Sequence, residues 1–366
     1  MMRAPRSFAI VVRRKDGSLV VREREVAHEA SGLGKAPFLR GIRSLVESLR
    51  LGGEALRFSA EQMERDMLLE EEKNAQAAAQ KVKQAPLGIL SAFGLSLFSM
   101  MTSEADAPAQ KIEPKSETSK GMGLMLVVAV AFLIALPQLA AMGANGLMHW
   151  NLPVQSPAFQ AVTGVFKLVV VLGYLLAIRR VREIHRVFQY HGAEHKTIST
   201  YEANEELVVE NARNKTTLHP RCGTTFLVMV VLTSVILFML IGGFLPRIAT
   251  GSVILDNLIF FLEKLPFLAP LAGFTFEIQR LFARHCTTGP LRALLWPGFL
   301  VQKITTIEPD DDQLEVALAS LRATLFRESG SPADARSVDT LGSRHEEDVV
   351  FSNFKEIRKA KRLRAA

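Results

Sequence analysis

Long apolar runs without charge constrain this chain more than any other feature of its sequence. The segment from Met122 to Met142 contains no charged residue. About 20 apolar residues in a helix are enough to cross a hydrocarbon core of about 30 Å. Similar runs extend over Phe159 to Ile178, interrupted only by Lys167 and a few uncharged polar residues, over Thr225 to Phe244, and over Leu265 to Phe282, which is apolar until Glu277, Gln279 and Arg280. The sequence therefore predicts a mainly α, polytopic membrane protein with about four transmembrane helices.

The basic residues predict how these helices are oriented. The loop from Ala144 to Ala158 has no Lys or Arg, whereas the segment from Arg179 to Arg221 has eight. Basic loops remain on the cytoplasmic side of a membrane. We therefore expect a multi-pass protein of the cell membrane with both termini in the cytoplasm.

Charge and cysteine content narrow the possible partners. The net charge of +7 comes from basic residues that border the apolar runs, with few aromatic residues among them. This pattern favours membrane lipid as a partner and argues against nucleic acid. The two cysteines, Cys222 and Cys286, both lie near segments expected in the cytoplasm, where a structural disulfide is not expected.

The parts outside the membrane are predicted to be a small hairpin and several helices. Ser7 to Val12 and Leu19 to Val26 flank Asp16-Gly17, which is typical of a β-hairpin turn. A hairpin needs a packing partner, and the long amphipathic helix from about Pro37 to Glu72 is the expected one. The predicted regions are 1–83 (hairpin and helix), 84–120 (interfacial stretch and disordered linker), 121–285 (membrane domain with cytoplasmic loop 179–224), 286–327 (cytoplasmic helical segment) and 328–366 (mobile tail).

The sequence HGAEHK follows the second apolar run and has the spacing of a metal-binding helix. Residues four apart share one face of a helix, so His191 and His195 are placed to bind one metal ion, with Glu194 beside them. The alternative is a solvated amphipathic helix whose histidines bind nothing.

The predicted topology brings further donors to the same membrane face. His219 and Cys222 precede the third run, and His285 and Cys286 follow the fourth. Glu277 lies within the fourth run, where a carboxylate is costly unless it is paired, hydrated or bound to a cation. Imidazole, thiolate and carboxylate together form a set of ligands that zinc accepts.

These donors also have structural interpretations. His219 to Cys222 is typical of a tight turn before a membrane span, with Cys222 as a small buried residue. Glu277 is able to form an ion pair with Arg280 or Lys167. The acidic residues Asp310 to Asp312 favour the positive end of the helix that follows them.

Motifs along most of the chain carry a family resemblance. They are Met1-Met2-Arg3, Pro37 to Gly41, Tyr190 to Lys196, Tyr201-Glu202, His219 to Thr224, the helix of Glu277, Pro297 to Gln302, Thr305 to Pro309 and Leu314 to Ala317. In these motifs the chain resembles the YqhQ-like family of bacterial integral membrane proteins. The resemblance implies a metal-dependent enzyme of the bacterial inner membrane, with metal-site positions His191, Glu194, His195, His219 and Cys222. Relative to the family, a short Gly-containing stretch ahead of Met1 is missing, and 84–120 is an insertion.

Three functional hypotheses follow. In the first, the protein is a hydrolytic membrane enzyme: His191, His195, His219, Cys222 and Glu277 are the candidate ligands of a divalent metal, expected to be zinc, and Glu194 is the catalytic base. In the second, the metal site is structural and the protein is a scaffold or sensor. In the third, Lys167 and Glu277 serve a transporter or channel component. Neither the substrate nor the oligomeric state is predicted.

Overall fold

The computed structural model describes residues 1–26, 39–84, 135–246, 250–286, 289–329 and 348–360. The chain divides into two units, one formed by Met1–Ser59 with Leu133–Ala366 and the other by Ala60–Phe132. The described part of the second unit is the continuation of the first helix.

The described residues are mostly helical. The helices are α1 (Leu39–Gln84), α2 (Pro157–Ile178), α3 (Arg182–Glu202), α4 (Val209–Arg213), α5 (Gly223–Ile241), α6 (Val253–Lys264), α7 (Leu268–His285), α8 (Trp296–Thr305), α9 (Asp311–Ser329) and α10 (Phe354–Lys359). Residues 135–147 are also helical. The strands are β1 (Met2–Arg3), β2 (Ser7–Arg13), β3 (Leu19–Glu25) and β4 (Val349–Phe351).

Within the described residues, three helical segments are long and apolar enough to cross a membrane. They are Pro157–Ile178, Gly223–Phe244 and Val253–His285. They coincide with the second, third and fourth predicted runs, so the predicted mainly helical fold is confirmed with three candidate membrane spans. The first predicted span lies mostly outside the described residues, as do the whole interfacial stretch and linker, so the count of four spans stays a prediction.

The ends of these helices follow from local sequence. Ser156 caps α2 because its hydroxyl accepts a hydrogen bond from the Phe159 N–H at 3.2 Å, and Pro157 then fits the first helical position. Helices α2, α5 and α8 meet around a small apolar core. Its buried members are Val171, Leu175, Val228 and Val301. This packing fixes the ends of α2 and α5 beside each other.

The amino-terminal strands form an antiparallel sheet in the order β1-β2-β3-β4. Ser7 is opposite Glu25 and Arg13 is opposite Leu19, which confirms the predicted hairpin. Gly17 in its turn has a φ of 87°, a conformation that glycine adopts without steric cost.

The two faces of the hairpin pack on different helices, because alternate strand residues point to opposite sides. Phe8 and Val20 pack with Leu51 and Phe58 of α1, the predicted partner. Residues of the other face, including Leu19, join a larger core with α9. The sequence does not predict this second partner, which is about 300 positions away in the chain.

Part of the carboxyl-terminal region is folded. Its polar composition predicts a mobile tail over 328–366, whereas β4 pairs with β3 and α10 buries Phe354 and Ile357 in the core beside α9. Two apolar residues three positions apart share one helix face. They are enough to hold this short helix, and the prediction is wrong for 348–360.

Candidate metal centre

Helix α3 carries the two histidines of the predicted motif one turn apart. It starts four residues after the end of α2, so the motif lies next to the end of a candidate membrane span. The ring centroids of His191 and His195 are 4.5 Å apart, with the rings nearly perpendicular. The helical spacing therefore turns both imidazoles toward one place, as predicted.

Cys222 supplies a third donor at the start of α5. It is the N-cap residue of that helix, and its Sγ lies 3.2 Å from Nε2 of His191. One ligand atom from each of His191, His195 and Cys222 lies within 4.8 Å of the other two. Nitrogen and sulfur ligands of one tetrahedral zinc ion are about 3.5 Å apart. The three donors therefore fit a zinc-sized ion after small side-chain movements.

Backbone carbonyl groups determine which ring nitrogen of each histidine carries a proton. Nδ1 of His191 lies 2.9 Å from the Thr305 carbonyl oxygen, and Nδ1 of His195 contacts the Thr217 carbonyl oxygen. A carbonyl oxygen only accepts hydrogen bonds, so both Nδ1 atoms donate. The two Nε2 atoms are then available as ligands. Metal-binding histidines typically have such a partner on the second ring nitrogen.

The electrostatics of the centre favour the ligating form of the cysteine. Burial raises the pKa of Cys222, but hydrogen bonds and charge from His191 and His195 lower it by more, to about 5. The N-terminus of α5 also favours a negative charge. Burial lowers the pKa of His191, while the contact with Cys222 raises it above its usual value. At neutral pH the sulfur is therefore a thiolate, the form that binds metals.

Gly192 allows the chain after α8 to reach the histidines. A Cβ atom at this position would lie 2.1 Å from the Ile307 carbonyl oxygen, so only glycine fits without a shift. The Ile307 N–H donates to the Phe188 carbonyl at 3.0 Å. This close approach brings the Thr305 carbonyl to His191.

Gln302 holds the turn that carries Cys222. Its Oε1 accepts from the His219 N–H at 2.8 Å, and its Nε2 donates to the His219 carbonyl and to Thr225 Oγ1, both at 2.8 Å. The side chain is fully buried, so these bonds replace solvent for the turn. Sequence reasoning did not single out Gln302 as a positioning residue, because one glutamine in an amphipathic helix has no signature of its own.

His219 lies next to the three donors without joining them. Its ring centroid is 5.8 Å from that of His195. Its Nε2 lies 3.2 Å from Glu202 Oε2, and its Nδ1 accepts from the Arg221 N–H at 3.3 Å. Both ring nitrogens are therefore used in this structure. Burial lowers the pKa of His219, which favours the neutral ring.

The two predicted carboxylates have separate surroundings. Glu194 Oε1 lies 2.9 Å from the Met1 amino nitrogen, and its charge helps to raise the pKa of His191. Glu277 is not in the donor group: its carboxylate forms a two-point ion pair with Arg40 of α1, with Nε 2.6 Å from Oε1. Arg40 is not the partner predicted from the sequence, because nothing local links positions 237 apart.

The last two predicted donors also lie apart from the group. His285 is exposed at the end of α7. Cys286 is buried as the residue that ends this helix, and its N–H donates to the Phe282 carbonyl at 2.8 Å. Among the described residues, the donors that meet are His191, His195 and Cys222.

The fold and the site define a mainly helical protein with three candidate membrane spans and a largely buried His₂Cys cluster at the ends of two of them. The chain belongs to the family described as "Protein of unknown function (DUF1385)", which matches residues 36–327. It is 28% identical over 331 residues to the protein named "Uncharacterized protein YqhQ" of Bacillus subtilis (strain 168), covering 88% of each chain. These matches confirm the YqhQ-like resemblance. No solved structure matches the chain.

Proposed function

We propose that the protein is a metal-dependent membrane enzyme whose metal ligands are His191, His195 and Cys222. The observation that carries the proposal is the convergence of two imidazoles and a thiol from separate helices while both Nδ1 atoms donate to backbone carbonyls. Buried polar groups normally face partners that satisfy them. Here His191 Nε2 and Cys222 Sγ share a hydrogen bond at 3.2 Å, and release of the protons on the Nε2 atoms would leave two nitrogen donors and a thiolate facing one point, an arrangement suited to a cation.

The number of ligands supports a catalytic site. Catalytic zinc sites commonly have three protein ligands and one open coordination position. A divalent metal ion held here supplies a Lewis acid that activates water for hydrolysis. Glu194 is the proposed general base, since it lies between the two histidines on α3, is partly exposed and is electrostatically coupled to His191.

The second candidate is a structural metal site in a scaffold or sensor. It is supported by His219, whose ring lies 5.8 Å from that of His195 and would complete four protein ligands after leaving Glu202. Closed sites of this kind stabilise folds without catalysis. We place the site, in either case, at the cytoplasmic face of the inner membrane, because the segment from Arg179 to Arg221 has eight basic residues.

Metal content tests both candidates. We expect the purified protein to contain about one equivalent of zinc or a similar ion, since one cluster of three donors supplies one site. His191→Ala and His195→Ala remove ligands and should abolish binding. His185→Ala is the matched control because it changes an exposed histidine of the same helix. A metal-free wild-type protein, or full occupancy in both ligand variants, contradicts the proposal.

Two further variants separate catalysis from structure. Glu194→Gln should retain the metal but fail to replace the intact gene in a deletion strain, because an amide does not accept the proton. Full complementation by Glu194→Gln rejects the catalytic role. His219→Ala should retain the metal if three ligands suffice, whereas loss of the metal favours the structural site.

A further inference from the structure

A cavity of about 730 Å³ lies beside the candidate metal centre. Its walls come from three helices: Ser44 and Ser48 of α1, Gly223 and Phe226 of α5, and several residues of α7. Both α5 and α7 belong to segments long enough to cross a membrane. Its lining residues come from the first turn of α5 and the second half of α7, so the cavity lies near these ends of the two candidate spans.

The cavity has a strongly basic wall. Arg221, Arg280 and Arg284 line it, and Arg280 and Arg284 are one helical turn apart on α7. Arg221 pairs with Glu202 at 3.1 Å. Within the described residues, neither of the other two arginines has a carboxylate partner. One guanidinium group can donate two parallel hydrogen bonds to two oxygens of a phosphate. This wall is therefore suited to a phosphate.

The rest of the cavity is suited to hydrocarbon. Phe226 and Phe276 contribute to the lining from the two span segments, and Ser44 and Ser48 contribute to it from α1. A ligand that satisfies both kinds of wall has an anionic head and an apolar tail. Membrane lipids with a phosphate headgroup have this chemistry.

The α1 wall is fixed by the contacts of Glu277. Arg40 is ion-paired with Glu277, and a Cβ atom at Gly41 would lie 2.8 Å from Phe276 Cβ. Positions 40, 44 and 48 follow at four-residue intervals and share a helix face. The ion pair therefore holds Ser44 and Ser48 over the cavity, which gives Glu277 a positioning role.

The cavity and the metal centre share a wall. Gln279 lines the cavity and donates from Nε2 to the Cys222 carbonyl at 3.0 Å. Gly223, another lining residue, directly follows Cys222. The lining of the cavity thus includes a residue adjacent to, and a residue hydrogen-bonded to, the proposed metal ligand Cys222.

We infer that this cavity binds the phosphate headgroup of an anionic membrane lipid, and that such lipids are the substrate class of the enzyme. The second part rests on the proposed function, whereas lipid binding requires only the cavity. The phosphate binds Arg280 and Arg284, and the apolar chain lies along Phe226 and Phe276.

Lipid binding to the full-length protein tests the inference. Delipidated protein is titrated with phosphatidylglycerol or phosphatidylcholine in mixed micelles, and bound lipid is measured by native mass spectrometry. We expect phosphatidylglycerol to bind about tenfold more tightly, and the Arg280→Gln/Arg284→Gln double variant to lose this preference. Ser48→Glu, an exposed change on the opposite wall, should weaken binding in the same direction.

The matched control is Arg179→Gln/Arg180→Gln. It removes the same charge from a separate cavity at the end of α2, away from the lining of the first cavity, and should change binding less than about twofold, because these two arginines do not contact the bound phosphate. Equal loss in the two double variants, or no preference in the wild type, overturns the inference. So does displacement of the lipid by an equal concentration of inorganic phosphate, which would indicate a site for free anions.

Metal content of the same samples separates the two proposals. A metal-free wild-type protein that retains its lipid preference contradicts the proposed metal-dependent enzyme and supports lipid binding in the cavity. A metal-loaded protein without lipid preference contradicts lipid binding in the cavity and leaves the proposed metal site unaffected.

Discussion

The His191/His195/Cys222 cluster and the Arg40–Glu277 ion pair lie near the same ends of the membrane helices, yet they differ in how their charges are satisfied. The sequence predicts that Glu277 and the cluster belong to one metal site. In the cluster, three potential metal ligands meet; the outer partners of the two histidines are backbone carbonyls, and that of Cys222 is Thr224. In the ion pair, a guanidinium already neutralises the carboxylate. The comparison shows that the arrangement of protons and partners, rather than residue type, distinguishes a candidate metal site.

The largest difference between the two regions is expected when one residue is substituted in each. Cys222→Ser removes the thiolate and should abolish metal binding, since serine is a poor ligand at neutral pH. Glu277→Gln should leave metal content unchanged, because the carboxylate belongs to the ion pair. Elemental analysis of the two purified variants measures the difference. Loss of metal in Glu277→Gln would return this residue to the metal site.

A smaller effect is expected from the residue that positions Cys222. Gln302→Leu leaves the His219 N–H and carbonyl without their buried partners, so the turn loosens. Outer contacts of metal sites typically contribute tenfold or more to affinity, and we expect metal affinity to fall by about tenfold. Competition with a chelator measures it.

The control for this experiment is Gln155→Leu. It removes a bond to the Pro246 carbonyl near the start of α2, away from the centre, and should keep wild-type affinity. An equal loss of affinity in both variants would mean that the effect of Gln302 is general destabilisation.

The smallest expected effect concerns the packing that joins residues 305–307 to α3. Gly192→Ala forces a Cβ atom against the Ile307 carbonyl and should lower the free energy of unfolding by about 1–3 kcal/mol. Gly173→Ala is the matched control in α2, where a Cβ atom meets nothing within 4 Å. Thermal unfolding in detergent measures both. Equal stability of the two variants would show that this close approach is not needed.

The sequence was informative where a property repeats locally. Apolar runs predict the three spans, alternation with Asp16-Gly17 predicts the hairpin, and four-residue spacing predicts that His191 and His195 converge. Cys222 follows from the topology, since it lies in the same predicted cytoplasmic loop, 179–224, as the two histidines.

Contacts between distant segments were not predictable in the same way. The Arg40–Glu277 pair, the three hydrogen bonds of Gln302 and the pairing of β4 with β3 each join residues that have no local relation. A polar residue in a helix has many possible partners, and only the packed fold selects one. The predicted carboxylate ligand was misplaced for this reason.

The most direct test of the metal centre is the absorption spectrum of the protein after replacement of its metal with cobalt(II). Coordination by Cys222 predicts a near-ultraviolet charge-transfer band from thiolate to cobalt, together with visible bands of the intensity typical of tetrahedral sites. The first band should be absent in Cys222→Ser and unchanged in Glu277→Gln. A wild-type spectrum without this band, or one that Cys222→Ser does not alter, would contradict the assignment of His191, His195 and Cys222 as a metal site.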